Sequence, residues 1–221
     1  MAHYHMGGIR VDTCMETRVK GLYTAGEAVG GANGANRLSG NAITEAFVFG
    51  ERAGSSATEA AKHTSVDWES ELAASAFERV NALKSKRSKG GVTPVALQEK
   101  LQTLMWEKAG PFRTEEKLSA ALARIQQIQR DELPNLSVTE PTLYNLDLQD
   151  WFELRAMLTT AEAVVRSALA RKESRGAHQR EDFPDSDESL LKNQVLEMQD
   201  DEIVSHWTLP VRLNRDASNH G

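Results

Sequence analysis

The sequence predicts a mainly α chain with short β segments, and three observations carry that expectation. Ten of the fifteen glycines fall in residues 1–54 while all six prolines lie after residue 90, so the chain has two compositional halves. From Ala73 to Ala168 apolar residues recur at spacings of three and four, the period of helices that bury one face. Apolar and β-branched runs return at Val195–Met198 and Ile203–Val211, which suits a terminal β-hairpin.

The elements follow in chain order. Ile9 and Val11, then Val19, Leu22 and Tyr23, alternate loosely and suit two short strands joined by an exposed loop from Asp12 to Arg18. Asn41 is an N-cap candidate for a helix over residues 42–62, with Ile43, Phe47 and Ala53 inward. Ala73, Ala76, Phe77, Val80 and Leu83 mark the stripe of the next helix. Thr93-Pro94 caps another, carrying Leu97, Leu101, Leu104 and Met105.

Thr114 caps a further helix, with Glu115 and Glu116 favourable against the macrodipole and Leu118, Ala121, Ile125 and Ile128 inward. The longest pattern runs from near Asp147 to about Lys172, with Trp151, Leu154, Leu158, Ala161, Val165 and Ala168 forming a buried seam. Residues 173–184 are polar and turn-rich, the hairpin turns across Gln199–Glu202, and the tail 214–221 is expected to fray. These breaks divide the chain into 1–63, a helical domain over 64–184, a hairpin region over 185–213 and the tail.

Composition narrows the function. A net charge of −6 and no concentrated basic stripe argue against nucleic acid, the run Lys84–Lys89 reading as a solvated helix end. Cys14 is the single cysteine, so no disulfide framework or thiolate metal cluster forms within the chain, and an inert thiol in a reducing compartment is expected. No apolar run reaches the ~20 residues that span a bilayer, so no direct membrane insertion is expected.

The chemistry concentrates at the start. His3-Tyr-His-Met-Gly-Gly-Ile9, Gly21–Glu27 and Gly34–Asn41 place a histidine, a glutamate and an arginine in glycine-dense turns within a short span, and a helix opens directly after them. Glycine allows backbone to approach a ligand closely, so this density suits a ligand-wrapping segment. Ordinary turns between short strands are the alternative.

These stretches, the Val48-Phe49-Gly50 and Ala53-Gly54 pairs that follow, and the run Glu173-Ser-Arg-Gly-Ala-His-Gln-Arg-Glu-Asp-Phe-Pro184 closely resemble the C-terminal portion of the succinate dehydrogenase/fumarate reductase flavoprotein family, of which L-aspartate oxidase is also a member. The resemblance implies that residues 1–63 are the C-terminal piece of an FAD- and substrate-binding α/β domain and that a helical domain follows. It implies hydride transfer between a C4 dicarboxylate, succinate or fumarate, and FAD. His3 and Arg37 match the residues that hold the substrate carboxylates. A planar guanidinium fork and a directed imidazole N–H are suited to gripping the two ends of a small diacid.

Glu27 matches a residue that contacts FAD, and Ala42 and Ile43 match a position that meets the flavin with backbone N–H groups at a helix start. The resemblance assigns no role to His5. Arg175 and His178 match a motif read as packing the helical domain against the flavin region, with a catalytic His178 the lesser reading and Asp182 or Glu181 the candidate to pair with it. An iron–sulfur subunit is the implied partner, and a cytoplasmic or peripheral inner-membrane location follows from it.

The chain has no Gly-x-Gly-x-x-Gly turn for a pyrophosphate, and the start at Met1 reads as truncated. The expectation is therefore a fragment that alone neither holds FAD tightly nor turns over, with apolar faces in residues 1–54 lying open or covered by another chain. L-aspartate oxidase is the runner-up within the enzyme class, Met6 favouring succinate/fumarate chemistry. A non-catalytic helical module docking an iron–sulfur subunit is the alternative from outside it.

Overall fold

The computed structural model describes residues 4–65, 71–85, 92–136, 138, 144–200 and 202–211. The Lys84–Lys89 run, the Leu83 side chain and the tail 214–221 fall outside what it describes. Its residues are mostly helical, with four short strands among those described. The chain forms two compact units, Met1–Phe77 with Arg175–Ala177, and Glu78–Ser174 with His178–Gly221.

In the first unit the two strands expected over residues 7–25 reduce to isolated bridges, Ile9 with Val29 in parallel and Glu16 with Tyr23 in antiparallel. Turns fill the rest because local bonds compete with a ladder: the Asp12 carboxylate accepts from the backbone N–H groups of Cys14 (2.8 Å) and Glu16 (3.0 Å). The main element is helix α1 (Asn41–Ala61). Its N-cap is Gly40, at φ 89°, rather than Asn41. The chain enters the helix through a left-handed turn that only glycine adopts without strain, and this moves Asn41 into the first helical position.

The buried face of α1 also differs from expectation. Ala53 is buried, but Ile43 and Phe47 are 69% and 76% exposed, and Glu45 is buried in their place. Glu45 stands two residues from each, hence on nearly the opposite side of the helix. The unit's apolar core is correspondingly small: Met15, Val29 and Ala53, with Val11, Tyr23, Ala25 and Phe49 packed around them.

Helix α2 (Glu71–Ser85) forms where its stripe predicts, although Phe77 is exposed. In the second unit, α3 (Pro94–Ala109), α4 (Glu115–Gln127) and α5 (Leu146–Ala170) pack on one another. Both threonine caps are made: Thr93 Oγ accepts from Ala96 N–H at 3.3 Å and Thr114 Oγ from Lys117 N–H at 3.2 Å. Leu97, Leu101, Leu118, Ala121, Ile125, Ile128 and the α5 seam from Trp151 to Ala168 form one buried cluster. Each large side chain here contributes roughly 1.5–3 kcal/mol of burial, and this is where the fold's apolar stabilisation resides.

After α4 the helix widens into a π turn over Ile128–Glu132 and a 3-10 turn over Leu133–Asn135, where Pro134 lacks the N–H to continue it. Strand β1 (Phe112–Arg113), expected as a turn, pairs in parallel with β2 (Gln179–Arg180). The terminal hairpin is present as β3 (Asn193–Gln199) and β4 (Glu202–Thr208). It begins two residues earlier than expected and its second strand ends at Thr208 rather than Val211.

Candidate functional site

The first unit brings its glycine-rich segments together through backbone contact. Ile9 N–H donates to the Ala28 carbonyl (2.8 Å) and Gly30 N–H to the Ile9 carbonyl (3.1 Å). At Gly8 a Cβ would lie 2.4 Å from the Ala28 oxygen, so only glycine permits this approach. The turn after it presents Glu27, whose carboxylate accepts the His5 backbone N–H at 2.8 Å. The role of His5 here is therefore that of a main-chain donor, tying the first segment to Glu27.

Glu45 reaches the same region from α1. It is 7% exposed, and its Oε2 accepts from the Tyr4 hydroxyl (3.1 Å) and from Asn33 Nδ2 (2.7 Å). Asn33 Nδ2 also lies 3.3 Å from the Tyr4 hydroxyl oxygen, so the three side chains form one polar cluster. Partial burial and the bond to Glu45 raise the Tyr4 pKa, and the phenol stays a donor at neutral pH. The half-buried Arg37 guanidinium stacks on the Tyr4 ring, 4.6 Å from its centroid.

Arg37 stands in a loop that is itself clamped. Ala177 N–H donates to the Ala35 carbonyl at 2.9 Å, and a Cβ on Gly176 would sit 2.2 Å from that oxygen. Gly176, at φ 58°, is thus the residue that lets the 175–177 segment close on the loop that carries Arg37. The loop runs through Gly40 into the first turn of α1, where Ala42 is half-buried and Ile43 exposed. Its N-cap being glycine, this 21-residue helix has no side-chain cap among the described residues. First-turn N–H groups and the positive end of the helix dipole are the features that hold negative charge, so this turn fits a flavin placed against it.

Of the residues singled out in the sequence, Arg37, Glu27, Ala42 and Ile43 all belong to the first unit, and His3 lies outside the described residues. Sequence reasoning missed Tyr4, Asn33 and Glu45. Two signals pointed to them: a carboxylate eight residues before Ala53, hence on one side of α1 with it, and an asparagine in the glycine-rich Gly31-Ala-Asn33 turn.

His178 is held within the second unit. Its Nε2 lies 3.0 Å from the Arg171 carbonyl and its Nδ1 2.9 Å from Arg113 Nη1. The carbonyl can only accept and the guanidinium can only donate, so the ring is the neutral Nε2–H form. The expected acidic partners are engaged elsewhere: Asp182 takes a fork from Arg180 (2.7 and 2.8 Å) and Glu181 pairs with Lys117 (3.1 Å). Glu173 is fully buried against Arg171, and its other oxygen accepts the Asp187 N–H at 2.9 Å. This polar knot orders the turn after α5.

Known proteins share both parts of the chain. A family model described as "Fumarate reductase flavoprotein C-term" matches residues 98–216, and one described as "FAD binding domain" matches residues 1–43. A flavoprotein-family relative from Methanothermobacter marburgensis, belonging to a fumarate reductase (CoM/CoB), is 40% identical over 202 residues, 90% of this chain and 36% of that protein. A fumarate reductase flavoprotein subunit of Mycobacterium tuberculosis is 36% identical over 224 residues, 97% of this chain and 38% of that protein.

A solved quinol fumarate reductase of Escherichia coli superposes with a TM-score of 0.84 at 32% identity, covering 96% of this chain and 37% of that one. The chain spans little more than a third of the length of the curated relatives it matches. Its helical unit, its glycine-packed turns and these matches together place the chain in the fumarate reductase/succinate dehydrogenase flavoprotein family, an FAD-dependent oxidoreductase family.

Proposed function

We propose that this chain supplies the C-terminal part of a flavin site in which a C4 dicarboxylate, succinate or fumarate, exchanges a hydride with FAD. FAD supplies the hydride acceptor or donor when bound. The residues of this chain do the positioning: Arg37 grips one carboxylate with a charge it cannot lose near neutral pH, and His3 takes the other. Holding both ends fixes the carbon–carbon bond relative to the cofactor, and orientation is the main demand of such a transfer. Glu27 accepts hydrogen bonds from cofactor hydroxyls, and the first-turn N–H groups of Ala42 and Ile43 stabilise negative charge on the flavin.

The observation that carries this reading is the stacking of Arg37 on Tyr4 in a loop clamped by Gly176 and Ala177, because a pre-set guanidinium at the entrance of an uncapped helix is arranged for an anion. We further assign the chain to a subunit that works with an iron–sulfur partner at the cytoplasmic face of a membrane, on the family resemblance. Among the described residues no helix is long and apolar enough to cross a membrane.

The test is Arg37→Ala in the full-length, flavin-loaded protein. Fumarate-dependent reoxidation of the reduced flavin should fall on the order of a hundredfold or more in kcat/KM while the bound flavin is retained. Unchanged fumarate turnover, or turnover that responds to aspartate alone, overturns the assignment.

A further inference from the structure

We propose that Glu45 is a positioning residue for substrate binding: through the Tyr4 hydroxyl it fixes the ring on which Arg37 stacks, and so sets where the guanidinium meets a dicarboxylate. The inference rests on the role given to Arg37 above. Three observations lead to it.

Glu45 is a carboxylate in a place where the helix pattern calls for an apolar side chain. It is 7% exposed, and its Oε1 is buried with no hydrogen-bond partner among the described residues. A buried acceptor left without a partner costs stability, so packing alone does not account for a glutamate there.

The carboxylate also orients the platform under Arg37. A phenol can rotate and shift unless its hydroxyl is held, and Glu45 Oε2 holds it at 3.1 Å while Asn33, at 2.7 Å from the same oxygen, braces the carboxylate. The face of the held ring then attracts the guanidinium, 4.6 Å above its centroid. Loss of the Glu45 bond leaves Tyr4 and Arg37 in place chemically but removes the restraint on where they stand.

Finally, Glu45 belongs to α1, four residues along from Asn41 in its first turn. One rigid helix thus presents the N–H groups assigned to the flavin and the carboxylate that sets the arginine. A displacement of the grip relative to that turn would misalign the diacid, and misplacements of about 1 Å can cost up to about a hundredfold in reactivity.

The test uses the full-length, flavin-loaded protein with Glu45→Ala, Glu45→Gln, Tyr4→Phe and the Tyr4→Phe/Glu45→Ala pair. The readouts are the Kd of malonate, a diacid that cannot be dehydrogenated, followed by the flavin spectrum, together with KM and kcat for fumarate. Glu45→Ala and Tyr4→Phe should each weaken malonate and raise KM about tenfold, with bound flavin at the parent level. Glu45→Gln, whose amide oxygen still accepts from Tyr4, should restore both constants to within about twofold. The pair should be no worse than Glu45→Ala alone, since both changes break one bond.

Malonate affinity unchanged in Glu45→Ala, while Arg37→Ala abolishes it, overturns the positioning role and leaves the assignment of Arg37 standing. Affinity unchanged in Arg37→Ala overturns that assignment itself. Flavin loss in Glu45→Ala that Glu45→Gln does not correct identifies a purely structural residue and overturns the proposal. If Glu45→Ala does not fold, Tyr4→Phe decides alone, because it keeps the ring and removes one hydroxyl.

Discussion

Arg113 and His178 meet side chain to side chain, guanidinium Nη1 to imidazole Nδ1 at 2.9 Å, and the contact shows which form of the histidine the fold accepts. A protonated ring would turn its second N–H against a guanidinium. Burial, with Arg113, Arg171 and Arg180 nearby, lowers the His178 pKa against the opposing bond to the Arg171 carbonyl.

This gives a signed pH dependence. A histidine whose folded pKa lies below its unfolded value, about 6.5, adds stability that is fully present above that pH. The contribution is lost as pH falls below it towards the lowered folded value. Urea midpoints measured at steps from pH 7.5 to 5 should decline for the parent chain. His178→Gln, which can still accept at one end and donate at the other, should flatten that decline, and an equal slope in both proteins refutes the neutral-ring account.

Asp182 carries a second dependence at lower pH. The fork from buried Arg180 holds its carboxyl well below the usual carboxylate range, helped by the Glu115 backbone N–H at 2.8 Å. Stability from this group is present above its unfolded pKa, about 3.9, and is lost as pH falls below that value. Asp182→Ala strands a guanidinium that is almost fully buried and removes an acceptor from the first turn of α4. It should cost about 3 kcal/mol, read from urea unfolding at pH 7.

The two units should differ in their response to core truncation and in exchange. Leu158 is 1% exposed within the helical cluster, so Leu158→Ala should cost roughly 2–5 kcal/mol. Amide exchange of the isolated chain should show the strongest protection in α4 and α5 and much weaker protection over residues 7–40. The first unit has only Met15, Val29 and Ala53 as buried apolar residues, among those described, to hold those turns. Equal protection across both units contradicts this.

The isolated chain should also bind FAD weakly, since it contains no glycine turn of the pyrophosphate-binding kind. Flavin fluorescence on titration should show no tight quenching, and the chain should reduce no dye with succinate. Tight binding with turnover is the contrary result.

The helical unit was legible in the sequence because its signals are local. Thr93 and Thr114 cap the helices they precede, and the apolar residues spaced by threes and fours from Leu97 to Ala168 are the ones that became buried. Such signals need only a helix and one neighbour to bury against.

The glycine-rich unit was legible in composition but not in arrangement. Residue type marked Arg37, Glu27 and the α1 start, yet the same rule pointed Ile43 and Phe47 inward and passed over Glu45. Period alone identifies a helical face without saying which side meets a core, and this unit has little core of its own to choose an apolar one.

By itself the order of residues determined the family's motifs, the helix stripes, the threonine caps and the hairpin. Tertiary structure decided what long-range contact controls: that Gly176 closes on Ala35, that Arg113 takes His178 while Asp182 goes to Arg180, and that Glu45 meets Tyr4 and Asn33. The physical reason is range. Caps and periodicity act within one or two turns of chain, whereas a hydrogen bond between residues 41 apart, as from Tyr4 to Glu45, exists only once the backbone has brought them to 3.1 Å.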